Sequence, residues 1–410
     1  MMFILVDPVS TGTALASAFR EEGAECLHLY DASLRDAYDA DDSPRTLLHD
    51  DLAKTLEILA ELPLTAVIAA SEFGVLLADE LAAALGLPHH QPELAAARRD
   101  KELMVRALEQ AGVPTARTAS VRTEGELSRV LSGWDSYPVM VKPRNSAGSD
   151  GCTISPDRHT ALRAFRDLVN RRNLMGEVNE DVLVQEFLSG TQYIVNTVSI
   201  EGRHLVTDVY AERIDHIDGA PVLRHIISRP LLEPAEAGMV DYVLECLGAL
   251  GIREGAAHTE VMLTPAGPRL VEVNSRVMGP SLAPDPYHAA FGYSHQHLVA
   301  ERFLRPDDFA RRFELPYTAA RTMAKIFLRT PRPGVLRAID GARVLRRMPG
   351  FHSIDRLPVV GEAIRDRHLT TGAGGIAYLV HEDEELLQSS LGVIHALEDT
   401  GGFYRLDEQD

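Results

Sequence analysis

Cysteine is scarce in this chain, and its three copies, Cys26, Cys152 and Cys246, stand far apart. That scatter excludes a disulfide framework, a Cys-based zinc site and a C-x-x-C redox pair, and the thiols read as reduced groups of a cytoplasmic protein. Positive charge is also short. Lys and Arg number 41 against 60 Asp and Glu, a formal net charge of −19, which argues against nucleic acid and anionic membrane as partners. No apolar run approaches the roughly 20 residues of a membrane span. The opening MMFILV is too short for a signal-peptide core and has no basic lead-in. Internal repeats and low-complexity tracts are missing as well. What is present, 410 residues with 45% hydrophobic and 25% charged side chains, is ordinary for a globular protein with room for two or three domains.

Residues 1–95 alternate strand and helix. FILV (3–6), ECLHLY (25–30) and TAVIAA (65–70) predict strands. Between and after them, helices are expected over Gly12–Glu22, near 51–61, and over Val75–Leu85. That order implies a parallel sheet with right-handed crossovers, whose ligands sit beyond the strand C-termini, here near Asp7–Thr13 and Ser71-Glu72. The loop DPVSTGT lacks G-x-G-x-x-G, so a nicotinamide site is poorly supported. Residues 96–300 read as a mainly antiparallel α+β region. Asp100 caps a helix to Gln110 with Met104, Leu108 and Ala111 on one face, and strands follow at PVMVKP, DVLVQEFL, QYIVNTVSI and a hairpin over 258–276. Residues 301–410 form a C-terminal α+β segment with a strand TMAKIFL, a turn at TGAGG and a helix from Asp383 to Glu398.

The hairpin HTEVMLTPAGPRLVEVNSR carries the sharpest signal. Both arms alternate with period two, Val261, Leu263, Val271 and Val273 opposing the polar His258, Glu260, Glu272 and Asn274. Met262 and Leu270 break the pattern. A loop Pro265–Gly267 places Thr264 opposite Pro268, Glu260 opposite Glu272, and His258 opposite Asn274. Directly opposed like charges destabilise a ribbon. Solvent or a nearby Arg would relieve them, and so would a hard divalent cation held by two carboxylates and an amide oxygen. Upstream, PVMVKPRNSAGSDGCTI (138–154) sets Lys142 on the face opposite Val139 and Val141. The small-residue loop Asn145–Gly151 that follows can approach a phosphate closely, although it is not a P-loop. Lys101 starts a helix whose N-terminus favours anions.

In order and spacing, GVLLADELAAALGLP (74–88), RRDKELMVRALEQAGVPTAR (98–117), VMVKP with its loop, VQEFLSG and the hairpin resemble the ATP-grasp superfamily of carboxylate–amine ligases, most of all the L-amino-acid ligases. The resemblance covers essentially the whole chain. It implies an ATP-grasp fold behind an N-terminal parallel α/β domain, and an ADP-forming ligation of an acid to an amino acid through an acyl phosphate. It further implies that Lys101, Lys142, Ser146, Gly148 and Ser149 contact the phosphates, that Gln185, Glu186, Phe187 and Leu188 form an adenine hinge, and that Gln192 replaces the family's ribose-binding Glu. Glu260, Glu272 and Asn274 would hold Mg²⁺, with Mn²⁺ as an alternative. Arg276 would sit on the transferring phosphate and acyl group, His258 beside the metal site, and Ser10, Thr11 and Glu72 near the substrate. Partners implied are a small-molecule carboxylate and amine, with a homodimer by analogy. Rival readings are a carboxylase-type or purine-pathway ATP-grasp ligase, or a non-catalytic nucleotide-binding module.

Overall fold

The computed structural model describes residues 1–32, 45–134, 136–280, 282–364 and 373–407. Each sheet follows from the patterning of its strands. Apolar FILV is buried throughout because Met2–Val6 is a central strand of a four-stranded parallel sheet, ordered Thr46–His49, Glu25–Asp31, Met2–Val6, Leu64–Ala69. Thr46–His49 was not foreseen from the sequence. Its alternating exposure suits the edge it occupies. Helices Gly12–Glu21, Leu52–Ala60 and Val75–Ala84 supply the expected connections.

A four-stranded antiparallel sheet follows, ordered Thr118–Val121, Val182–Glu186, Val139–Pro143, Thr153–Ser155. It faces an eight-stranded antiparallel sheet ordered Gly267–Asn274, Gly255–Thr264, Thr191–Ile200, Arg203–Ile217, Ala220–Ser228, Thr322–Leu328, Gly375–His381, Phe351–Arg356. The last three of these come from the C-terminal segment, so residues beyond 301 extend the central sheet. Helix Glu384–Asp399, capped by Asp383, packs on that extension. Of the expected TGAGG turn, Thr371 and Gly372 lie outside the described residues, and Gly375 opens a strand.

Helix Lys101–Gln110 begins as expected, with Asp100 Oδ1 accepting from the amides of Glu102 and Leu103 (2.9 and 3.1 Å). Its buried face is Met104, Ala107 and Leu108 rather than one ending in Ala111, which is the exposed C-cap. Helix Pro234–Ala249 packs behind the hairpin and shares a core with Met104, Val261, Leu270 and Val273. The hairpin is thereby clamped from behind, and its polar face is turned toward the smaller sheet.

Candidate functional site

The hairpin reaches its register by a different route from the one its alternation suggests. Thr264 pairs with Gly267, and Leu263 with Pro268, so the loop is the two residues Pro265-Ala266. A bulge at Val271 then restores the pairing of Glu260 with Glu272 and of His258 with Asn274. The extra residue also explains the exceptions in the pattern. Leu270 enters the core, whereas Val271, expected there, lines the cleft beside Glu272 and Met262.

That cleft, of about 410 Å³, lies between the two antiparallel sheets. From the smaller sheet comes Lys142, 5% exposed, whose Nζ donates to Gln185 Oε1 at 2.9 Å. Gln185 in turn donates to Thr118 Oγ1 (2.8 Å), so its side chain braces Lys142. Burial holds the Lys142 ammonium below its ordinary pKa. Lys101 enters from its helix and donates to Ser146 O (3.0 Å) while pairing with Glu272 Oε2 (2.7 Å). Burial pushes Lys101 down, but Glu272 outweighs it and the pKa is raised. Burial likewise pushes Glu272 up, and Lys101 overrides that to hold its carboxyl below the usual range.

The loop Asn145–Gly151 folds over this mouth. Ser146 Oγ donates to Asp150 Oδ2 (2.7 Å), which also accepts from Leu174 N (2.8 Å). Ser149 stands at φ 67° and Gly151 at φ 65°. That φ favours glycine at 151, where a Cβ would also lie 2.5 Å from Leu168 Cδ2. Beyond Glu186, the chain leaves its strand as an irregular segment past Phe187 and Leu188, whose side chains line the cleft with Met140, Ile154 and Met262. Glu186 itself is tied to Arg117, its Oε1 accepting from Arg117 N and its own N donating to Arg117 O (both 2.9 Å). Gly190 lies so close to the hairpin that a Cβ would fall 2.1 Å from Leu263 O.

Each of the opposed acids has a partner of its own. Gln192 Nε2 donates to Glu260 Oε2 (3.0 Å), so its side chain points to the hairpin. Asn274 Nδ2 donates to Glu272 Oε1 (3.2 Å). His258, buried, places Nε2 3.5 Å from Glu260 Oε1 and Nδ1 2.9 Å from Asn196 Oδ1. Asn196 donates onward to Asp208, so Asn274, His258, Asn196 and Asp208 form one polar row across four strands. A third carboxylate, Glu212, was not foreseen. It lines the cleft, its Oε2 is buried without a partner, and burial, then Glu260, pushes its pKa well above the usual range. His216, edge-on to Phe187 at 6.0 Å, was also missed. Both stand on Arg203–Ile217, where polar and apolar residues mix and alternation gives no clear face.

Arg276 and Glu72 meet, although 204 positions separate them: Arg276 Nε donates to Glu72 Oε2 at 2.6 Å. Burial raises the Glu72 carboxyl, and Arg276 and Arg99 more than reverse it. Ser10 and Thr11 are elsewhere. They line a separate cavity of about 440 Å³ between helix Gly12–Glu21 and Gln296, His297 and Asp355. The structure therefore brings Lys101, Lys142, Ser146, Gln185, Glu260 and Glu272 together, sets Arg276 with Glu72, and places Ser10 and Thr11 along a different cavity from the first group.

Among the described residues no three His, Cys, Asp or Glu side chains converge as a metal-binding group. No helix of the described residues is long and apolar enough to cross a membrane. Residues 135–285 match the ATP-grasp domain. Dapdiamide A synthase of Enterobacter agglomerans is 30% identical over 420 residues, covering 99% of this chain and 97% of that protein. The L-amino acid ligase of Bacillus licheniformis superposes with a TM-score of 0.77 at 19% identity, covering 100% and 99% of the two chains. The biotin carboxylase domain of Hydrogenobacter thermophilus 2-oxoglutarate carboxylase, in complex with MgADP, ADP and bicarbonate, gives 0.62 at 13% identity over 99% and 90%. With a 30% relative spanning nearly both whole chains, and with the fold and cleft in agreement, this chain belongs to the ATP-grasp family of ligases.

Proposed function

We propose that this protein is an ADP-forming carboxylate–amine ligase that joins an acid to an amino acid through an acyl phosphate. One observation carries the reading. A buried Lys142, a half-buried Lys101, a small-residue loop and two opposed carboxylates meet in one cleft, with the Arg276–Glu72 pair brought together by long-range folding. The names of the relatives, dapdiamide A synthase and an L-amino acid ligase, agree with it.

The oxygens of Glu260, Glu272 and Asn274 suit a hard divalent cation, and the partnerless Glu212 Oε2 stands in the same cleft. Mg²⁺ held there would neutralise charge on the triphosphate as the acid attacks the γ-phosphorus. Mn²⁺ would fit the same donors. Lys101 and Lys142 supply positive charge where two anions must meet, and the limited access of water to them makes that charge count for more than it would in water. Arg276 holds the acyl oxygen, then the oxyanion formed when the amine attacks. The Ser146–Ser149 loop keeps water from the acyl phosphate. Phe187, Leu188 and the backbone after Gln185 receive the base. His258 orients Glu260.

The test is ADP release across pairs of amino acids and acyl acids, with mass spectrometry of the products. Release that requires both an acid and an amine is expected. Glu272→Gln should cut turnover at least ~10²-fold with little change in melting temperature, since Gln still accepts from Lys101. Wild-type turnover in that variant at saturating Mg²⁺ would remove the metal assignment, and no ADP from any pair with the wild type would remove the ligase reading.

A further inference from the structure

Two adjacent arginines, Arg98 and Arg99, precede the Lys101 helix, and the fold treats them oppositely. Arg98 is 1% exposed and makes four hydrogen bonds: it donates to Asp79 through Nε and Nη2, and to Gln91 O and Leu250 O through Nη1. Arg99 is 9% exposed, yet its guanidinium makes no hydrogen bond among the described residues. Its recorded partner is Glu72 Oε1 at 3.4 Å, an ion pair beyond good hydrogen-bond length. A guanidinium has five N–H donors, which leaves Arg99 with donors to offer a ligand.

Its surroundings say what would match them. Glu72 lies between Arg99 and Arg276, giving its second oxygen to Arg276 Nε. Two guanidiniums thus share one carboxylate, and the trio keeps one positive charge uncompensated. Neither Arg99 nor Glu72 lines the cleft that holds Lys142 and the Asn145–Gly151 loop, so Arg99 stands outside the nucleotide cleft. Planar forked donors beside another guanidinium select a carboxylate.

We propose that Arg99 is a substrate-binding residue which, beside the Glu72–Arg276 pair, seats a substrate carboxylate that takes no part in bond formation, while Arg276 keeps its place on the acyl oxygen. This rests on the ligase reading above. Such a carboxylate comes either from the acceptor amino acid, which reacts through its amine, or from a second acid group on the activated partner. An enzyme so built selects amino acids over simple amines, or dicarboxylic acids over monocarboxylic ones.

The experiment compares wild type, Arg99→Gln and Arg99→Lys with the proteinogenic amino acids and their α-amides as acceptors, measuring KM for each partner and for ATP. Arg99→Gln should raise KM tenfold or more for the substrate whose carboxylate is bound, with Arg99→Lys intermediate. If the acceptor supplies it, KM for the matching α-amide stays within twofold of the wild-type value. If the acid partner supplies it, the rise falls on that partner and only for dicarboxylic members. Thermal stabilisation of the full chain by the same compounds, with and without the substitution, reads binding without turnover. Unchanged KM and stabilisation for every carboxylate-bearing compound, or a rise confined to ATP, overturns the proposal even where the wild type ligates normally. A wild type that ligates no pair instead fails the ligase reading, and the stabilisation measurement then still judges Arg99.

Discussion

Asp7 closes the first strand with its Oδ1 accepting from Asp31 N (2.9 Å) and its Oδ2 buried without a partner. Burial pushes its pKa up to about 6, against which the Asp31 amide works only partly. A carboxyl whose folded pKa lies above its unfolded value binds more protons when folded, so stability falls as pH rises from about 4 to about 6 and stays lowered above. Asp7→Asn keeps the acceptor for Asp31 and carries no charge. It should stabilise the protein at pH 7 by up to about 3 kcal/mol, with the gain shrinking toward pH 4. Urea unfolding of both proteins at pH 7 and pH 4 checks this, and a gain that does not depend on pH would show that ionisation of Asp7 is not its source. Asp7 also holds φ 48°, a second unfavourable feature at the same strand end.

At the scale of elements, the hairpin shows both the reach and the limit of sequence patterning. Glu260, Glu272, His258 and Asn274 were legible because alternation on two arms fixes which residues share a face. The bulge was not, because one inserted residue and a loop shorter by one cancel in the pairing of the acids. Only Leu270 and Val271 betray it, as an apolar and polar order that alternation alone gets wrong. Lys142 was legible for the same period-two reason. Gln192, Glu212 and the Arg99–Glu72–Arg276 group depend on distant strands meeting, which local periodicity does not encode. The bulge leads to a definite expectation. Deleting Val271 leaves Leu270 facing the core and Glu272 facing Glu260, because it removes the extra residue itself. On the proposed metal site, the variant should fold and still need Mg²⁺ for ADP release, while KM for ATP rises several-fold as an apolar wall of the cleft is lost. A folded variant with no Mg²⁺-dependent ADP formation would show that the bulge sets the spacing of the acids.

At the scale of the whole molecule, the parallel sheet must be held rigidly to the rest, since Glu72 comes from one and Arg276 from the other. The alternation of strand and helix over 1–95 made that sheet legible, but nothing local says how it docks. Arg98 supplies the tie. From the turn before the Lys101 helix it reaches Asp79 of helix Val75–Ala84 at 2.7 Å and, at 3.0 Å, the carbonyl of Leu250 after helix Pro234–Ala249. Its side chain is fully buried and that of Asp79 only 9% exposed, and burial already pushes the Asp79 carboxyl up despite Arg98. Removing the guanidinium strands that charge in a dry interface. Arg98→Leu should therefore cost roughly 3–5 kcal/mol and weaken substrate binding, because the Glu72 side of the pocket loses its support. Adding Asp79→Leu removes the stranded carboxylate and should recover most of the loss. A double-mutant cycle by denaturant unfolding measures the coupling between the two positions. Additive effects would mean that the pair does not join the sheet to the body, and that docking rests on the apolar contacts alone.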